Sequence, residues 1–384
     1  MSFMRLLYAC SELGLGHAAR TATLGKQLEQ RGHEVFFFSG ARAYQLLKKE
    51  FKHVYPVTPV AWYENSSGII MSASLINILF SLPVYNAETD KYEIKSSIAM
   101  EIIHRYYDLR RLIYEIAPDV LIADGDLNAL RMAQRWKIPD VYITNLVRPS
   151  QGFSSLLSPG ERIIERYVKS CKRIIIPDNK PPHTICEYNI GNLGSVGIGD
   201  KTEFVGSFFD TKPTKVSEQH IFAPVSGPFG TRARLLNILV PTFERLEAKS
   251  IVSLGAMGEE RKVVKRGNCE IHSWLSAQER AEAMQNASIV VFSGGHITCF
   301  EAVKYTKPTI CVPTQPEQLA NAAKLQNMQC SIVAKNKTQL AAAVRSIEDN
   351  YSKYKTNMQT LNRASNQYSG LTRAVEIIEK VPRH

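Results

Sequence analysis

The sequence predicts an α/β protein of two domains, on three observations: apolar strand-like runs alternate with helix-compatible segments, the alternation occurs in two separate series, and a polar stretch divides them. The chain has 384 residues, more than one growing core normally accommodates, and 44% are hydrophobic and 22% charged, an ordinary globular balance.

The first series starts with an apolar run at residues 3–10, followed by helix-compatible residues 17–31 ending at Gly32, then the strand EVFFFSG. Pro118 precedes the strand DVLIADG, LNALRMAQRW reads as a helix, and DVYITN as a further strand. Residues 202–219, TEFVGSFFDTKPTKVSEQ, are polar and without a regular period. After them IFAPV, SIVSL, CEIHSW, SIVVF and TICVP recur as short strands between helical stretches. The expected organisation is an N-terminal domain over 1–204, a linker over 205–218, a second domain over 219–350 and terminal helices over 351–384.

Seven cysteines without a C-x-x-C pair, and nine histidines with no pair at i, i+4, argue against a disulfide framework or a structural zinc site and point to a reducing cytoplasm. MSFMRLLYAC is too short and too polar beyond Cys10 for a signal peptide and reads as a first strand. The formal net charge of +11 favours an acidic partner: anionic lipid, nucleic acid or a phosphorylated small molecule. Basic and aromatic residues do not interleave as single-strand binding requires, which disfavours nucleic acid. Residues 65–87 carry no charge, the length of a membrane span, but five serines, three asparagines and Pro83 interrupt them. A buried or loop-and-helix segment is expected there, with a surface resting on a membrane or lipid as the alternative.

Four loops at the carboxyl ends of predicted strands carry the chemistry, because open α/β sheets bind ligands there. In SELGLGHAAR, residues 11–20, Gly14, Gly16 and Ala19 fit a dinucleotide fingerprint, but the second strand ends in Phe38-Ser39-Gly40 without an acid for a ribose. His17, where that loop becomes a helix, is a candidate general base, since imidazole titrates near working pH and accepts a hydroxyl proton. Asp124 and Asp126 in IADGD are candidates to orient it, with Asp124 preferred; the pair also fits a D-x-D metal clamp.

In SGPFGTRARLLN, residues 226–237, Gly227 and Gly230 let the chain fold against a ligand, and Arg232 or Arg234 can reach phosphate oxygens. SGGHITCFEA, residues 293–302, follows SIVVF; its glycines and the helix start behind them favour an anion. PTQPEQLANAAKLQ, residues 313–326, offers Glu317 and Gln318, an acceptor and an amide suited to sugar hydroxyls.

The order S-G-G-H-x-T, glutamate, E-A-V-x-x-x-K-P, strand, then P-E-Q-L-x-N-A-x-x-L resembles the donor site of GT-B glycosyltransferases, in particular the MurG-like and UDP-glucuronosyltransferase-like groups with a family 28 type C-terminal domain. The resemblance runs from about residue 5 to residue 326 and is most specific over 293–321. It implies two Rossmann-like domains facing across a cleft, with C-terminal helices packing back on the N-terminal domain. It implies that Gly294, Gly295, His296 and Thr298 hold a diphosphate, alongside Gly227 and Arg232 or Arg234. Glu301 would take ribose hydroxyls, Ser273, Trp274 and Leu275 would lie by the nucleobase, and Glu317 with Gln318 would hold the sugar. On the acceptor side it implies His17 as base, Asp124 as its orienting partner, and Gly14 and Gly16 in the acceptor loop.

The implied activity is inverting transfer of a hexosyl or N-acetylhexosaminyl group from a nucleotide sugar, UDP-sugar by family default. No metal or other cofactor is required, because helix N-termini and cations neutralise the leaving diphosphate. A lipid-linked acceptor reached by peripheral binding to an anionic cytoplasmic membrane face fits the uncharged segment and the basic stretches RAYQLLKKEFKH and YVKSCKR. The alternatives are a sugar-nucleotide 2-epimerase and a transferase acting on RNA or another soluble acceptor. Oligomeric state is not encoded legibly.

Overall fold

The computed structural model describes residues 3–12, 15–60, 63–65, 68–86, 91–147, 165–209, 215–227, 229–255 and 261–382. The predicted acceptor-loop residue Gly14 and the middle of the expected linker, 210–214, lie outside them.

The first half contains β1 (Arg5–Cys10), β2 (Glu34–Ser39), β3 (Val54–Pro56), β4 (Glu64–Asn65), β5 (Gly68–Ile69), β6 (Leu82–Asn86), β7 (Lys91–Lys95), β8 (Val120–Asp124), β9 (Asp140–Ile143), β10 (Arg173–Ile176) and β11 (Thr202–Phe204). Seven of them form one parallel sheet in the order β11-β10-β9-β8-β1-β2-β3. The second half contains β12 (His220–Pro224), β13 (Ser250–Ser253), β14 (Val263–Arg266), β15 (Cys269–His272), β16 (Ala287–Phe292), β17 (Thr309–Cys311) and β18 (Ser331–Val333). These make a second sheet, β14-β15-β13-β12-β16-β17-β18, parallel except for the edge strand β14.

The short apolar runs form central strands because both faces are covered. In β1, Leu6, Tyr8 and Cys10 enter one core and Leu7 and Ala9 the other. In β16, Val290 and Phe292 face one core of the second sheet, Ile289 and Val291 the other. Five strands of the large sheets escaped the sequence reading: VYP, TEF and SIV are three residues long, RIII is four, and exposed VVKR lacks an apolar face.

The two terminal helices divide their allegiance. Tyr351–Ser365 sends Met358 and Leu361 into a core of the second sheet, whereas Gly370–Glu379 buries Ala374, Val375, Ile377 and Ile378 against Ala18, Ala22, Leu24 and Leu28 of the first half. The chain thus crosses back onto the N-terminal half, as expected. Glu379 meets Arg31 at 3.2 Å and His33 at 3.1 Å there. The crossing is close: a Cβ on Gly370 would stand 2.3 Å from the Ser207 carbonyl oxygen.

The uncharged stretch resolves into pieces: the tight pair β4–β5, a helix at Met71–Asn77, and the strand β6 paired with β7. Among the described residues no helix is long and apolar enough to cross a membrane.

Candidate functional site

Strand order reverses twice, between β1 and β8 in the first sheet and between β12 and β16 in the second. At such a reversal the loops leave in opposite directions and open a crevice beyond the strand ends. The predicted loops stand at both crevices.

Asp124 ends β8 beside Cys10 of β1, with no exposed surface. His17, on the helix Leu15–Gln30, brings Nδ1 to 2.7 Å from Asp124 Oδ1. A neutral ring so placed donates Nδ1–H to the carboxylate and presents its lone pair on Nε2. Gly125 makes the approach possible: its φ is +65°, and a Cβ there would lie 2.6 Å from His17 Cε1.

One helical turn beyond His17, buried Arg20 sets Nε 3.0 and 2.8 Å from the two Asp124 oxygens and also donates from Nη2. Burial pushes the Asp124 carboxyl up, but the Arg20 guanidinium and then His17 outweigh it and hold the group below its usual value. Of the two acids considered, Asp124 therefore meets the histidine. Asp126 caps the helix Leu127–Arg135 through Ala129 N at 3.0 Å and pairs with buried Arg105, which also faces Glu12 at 3.4 Å. Each carboxylate of the D-x-D pattern is thus committed to its own guanidinium.

At the second crevice, Gly294 follows β16 with φ +94°, and a Cβ on it would strike the Gln318 carbonyl oxygen at 2.6 Å. Asn321 Nδ2 donates to the Gly294 carbonyl at 3.0 Å, which fixes the turn. Gly295 then caps the helix His296–Lys304 without any side-chain cap, and a Cβ on it would meet nothing within 4 Å. The first N–H groups of a helix lack intrahelical acceptors, so this open end suits an anion. Thr298 is buried in the same turn.

His296 reaches across the junction: its Nε2 lies 2.9 Å from Asp178 Oδ2 in the first half, which leaves Nδ1 and the backbone N–H for the expected contact with a diphosphate. Asp178 also accepts from Asn179 N at 2.7 Å, Ile185 N at 3.1 Å and Cys186 N at 2.8 Å. Asp178, Cys186 and His296 are the group of potential metal ligands found among the described residues. The carboxylate is already ringed by donors, and burial followed by the Asp178 charge pushes the Cys186 thiol well up, away from the thiolate a metal prefers.

The other predicted residues line the same side. Glu301 faces Arg280 at 2.5 Å. Ser273 N donates to Lys262 O at 2.9 Å and its hydroxyl accepts from Lys262 N at 3.0 Å; the Arg261 guanidinium lies 5.2 Å from the Trp274 ring, and half-buried Leu275 packs on the core. Gly227 has φ +107°. Arg232 donates to the Leu254 carbonyl at the end of β13, 3.3 Å away, while Arg234 is exposed, so Arg232 is the one held at the strand ends. Gln318 Oε1 accepts from Thr314 N and Oγ1 at 3.1 and 2.8 Å, and Glu317 Oε1 accepts from Asn145 Nδ2 at 2.8 Å.

The crevices meet. Gly16 packs so closely on the SGGH helix that a Cβ there would stand 3.2 Å from Ile297 Cδ1. Asn189 Nδ2 reaches across to the Glu317 carbonyl at 3.0 Å and to Asn321 Oδ1 at 2.8 Å. Sequence reading missed Arg20, Asn145, Asp178, Asn189 and Asn321. Arg20 shares a helix face with His17, and Asn145 ends the strand-like run DVYITN, so both signals existed.

Residues 230–373 match the glycosyltransferase family 28 C-terminal domain. An uncharacterised glycosyltransferase of Methanosarcina mazei is 21% identical over 393 residues, covering 98% of this chain and 97% of the relative. One of Methanosarcina acetivorans is 24% identical over 406 residues, with the same coverage of 98% and 97%. Among solved structures, the spinosyn rhamnosyltransferase SpnG complexed with thymidine diphosphate superposes with a TM-score of 0.68 at 12% identity, covering 98% of this chain and 100% of that one. MurG of Acinetobacter baumannii gives 0.58 at 14%, covering 99% and 100%.

Proposed function

This chain is a glycosyltransferase of the GT-B fold, and from that premise we propose that it moves a hexosyl or N-acetylhexosaminyl group from a nucleoside diphosphate sugar, a UDP-sugar in the first instance, to a hydroxyl or phosphate of a lipid-linked acceptor at a membrane surface. The observation that carries this reading is the meeting of the His17–Asp124 pair with the uncapped start of the helix His296–Lys304 at Gly16 and Ile297.

In this mechanism His17 Nε2 takes the proton of the acceptor hydroxyl as its oxygen attacks the anomeric carbon. The bond from that carbon to the diphosphate oxygen breaks, and the nucleoside diphosphate leaves with the electron pair. Asp124 stabilises the imidazolium that forms, as a buried anion beside Nδ1. Backbone N–H groups of Gly295 and His296, with Arg232, receive the charge that gathers on the leaving group. Attack from the face opposite the diphosphate inverts the anomeric centre. Glu301 takes the ribose, Trp274 and its neighbours Ser273 and Leu275 the base side, and Glu317 with Gln318 the sugar.

The acceptor assignment rests on exposed apolar side chains in the N-terminal half, among them Leu79, Phe80, Tyr92 and Ile94, each more than three-fifths exposed. Patches of this kind mark interaction surfaces, and the net charge of +11 favours an anionic one.

The test is a thermal-shift series with uridine, thymidine and other nucleoside diphosphates and their sugars, repeated on Glu301→Ala. At a hundredfold excess over Kd a ligand stabilises by about 2.7 kcal/mol, a readable shift. Stabilisation by one nucleotide class that is lost in the variant supports the donor site; no stabilisation by any nucleotide sinks the proposed donor site.

A further inference from the structure

We infer that Asn145 is a positioning residue: it sets the carboxylate of Glu317 for reading the donor sugar and ties that carboxylate, through Arg20, to the His17–Asp124 pair. The inference rests on the donor-site reading above and extends it to residues outside the recognised motifs.

Asn145 follows β9 and is 6% exposed. Its Nδ2 donates to Glu317 Oε1 at 2.8 Å, and its Oδ1 accepts from Arg20 Nη1 at 3.4 Å. The two charged neighbours decide which way the amide faces, because its oxygen belongs beside a cation and its N–H₂ beside an anion. Arg20 spends Nε and Nη2 on Asp124, and Asp124 holds His17. A continuous polar chain therefore runs His17, Asp124, Arg20, Asn145, Glu317, from the acceptor side to the donor side.

Its far end is anchored independently. Asn189 donates to the Glu317 backbone carbonyl and to Asn321, and Asn321 donates to Gly294 in the anion loop. Backbone bonds place the start of the helix Pro316–Asn327, while Asn145 alone among these contacts orients the Glu317 side chain. A carboxylate accepts several hydrogen bonds, so one bond from Asn145 holds Oε1 in place and leaves capacity for sugar hydroxyls. Burial makes such a chain sensitive to a single wrong group.

The experiment measures Kd for the nucleotide sugar that stabilises the unaltered protein, and for the matching nucleoside diphosphate, in Asn145→Ala, Glu317→Ala and the double variant. Asn145→Ala is expected to weaken the nucleotide sugar about tenfold and leave the nucleoside diphosphate within about twofold. The double variant is expected to be no weaker for the sugar than Glu317→Ala, because Asn145 acts through Glu317. Equal losses for both ligands, or additive losses in the double variant, overturn the inference while leaving the donor site standing. Should Asn145→Ala fail to fold, Asn145→Ser and Glu317→Gln supply the same comparison: an unchanged ratio of the two affinities in both overturns it, a selective loss of the sugar supports it. Failure of every nucleotide to bind the unaltered protein removes the donor-site reading and this inference together.

Discussion

His17 Nδ1 stands 2.7 Å from Oδ1 of Asp124, and Arg20 from the same helix closes on both oxygens of that carboxylate, its Nη2 3.0 Å from His17 Nδ1. The buried acid is thus compensated before the imidazole gains a proton. A lone buried carboxylate would be costly, whereas one matched by a guanidinium stays ionised. Under the proposed mechanism this arrangement separates holding Asp124 charged, the part of Arg20, from taking the acceptor proton, the part of His17.

His17→Ala should therefore leave the donor site intact while slowing transfer. General-base removal costs about 10² to 10⁴ in rate, so kcat should fall by that factor. Nucleotide affinity, measured by titration in the same preparation, should stay within about twofold. A variant that loses nucleotide binding in proportion to rate would place His17 in donor binding instead.

The two glycines of the anion loop should respond in opposite ways. Gly294 has φ +94° and its missing Cβ would collide with the Gln318 carbonyl oxygen at 2.6 Å, so Gly294→Ala should lower stability by more than about 1 kcal/mol in urea unfolding. Gly295 has ordinary backbone angles and open space where its Cβ would be, so Gly295→Ala should leave stability within about 0.5 kcal/mol. Because that open space is where the anion would approach, the same variant should weaken nucleoside diphosphate binding. Undiminished affinity in Gly295→Ala would show that the loop does not receive the diphosphate.

Much of this site was legible as sequence because its parts are local. Gly294 and Gly295 sit next to each other between a buried strand and a helix, and Glu317 opens the next helix after a strand, so each could be found from one stretch of chain. The residues that were missed act over distance. Asp178 is 118 positions from His296, and Asn145 is 172 positions from Glu317. ITN marks Asn145 only as the end of a strand and PDN marks nothing, and neither names its partner, since a buried polar residue acquires its meaning from the groups brought to it. The same limit explains His296: its place at a helix start was readable, but the direction of its ring depended on a carboxylate from the other half. The βαβ rhythm implied parallel, helix-covered sheets but not the strand order that creates both crevices, and VVKR at the edge, exposed along its whole length, had no pattern to betray it.

Lys307, within the K-P pair after the SGGH helix, has no exposed surface and donates from Nζ to the Ser217 carbonyl at 2.8 Å. Burial, then the nearby Lys355, pull its ammonium down to about 8 against the opposing pull of Glu218. Between about pH 8 and the usual lysine value near 10.4, the folded protein has released this proton and the unfolded chain has kept it. The unfolded state then binds more protons, so this group makes stability rise with pH across that window. In urea unfolding at pH 7.5 and 9.5, the unaltered protein should gain stability relative to Lys307→Met as pH rises. A pH-independent difference between the two proteins would mean that the amine is not held in the depressed state.

The exposed apolar surface yields the prediction that separates a lipid-linked acceptor from a soluble one. Ile76, Ile78, Leu79 and Phe80 follow one another at the end of the helix Met71–Asn77, and Ile78 O accepts from Ala99 N at 3.0 Å, which brings this stretch beside the helix Ile98–Ile116. On that helix Met100, Ile103 and Tyr107 are also exposed, and Ile94 of β7 lies across from Pro83 of β6. Burying one such side chain in lipid contributes about 1.5 to 3 kcal/mol, so losing two should lower partitioning by well over tenfold. Leu79→Ser combined with Phe80→Ser should therefore abolish co-sedimentation with anionic vesicles, and raised salt should weaken it in the unaltered protein as the +11 charge is screened. Both positions are exposed, so the substitutions should leave the unfolding midpoint unchanged. If the unaltered protein ignores anionic vesicles even at low salt, the acceptor comes to the enzyme through water and the search turns to soluble hydroxyl compounds.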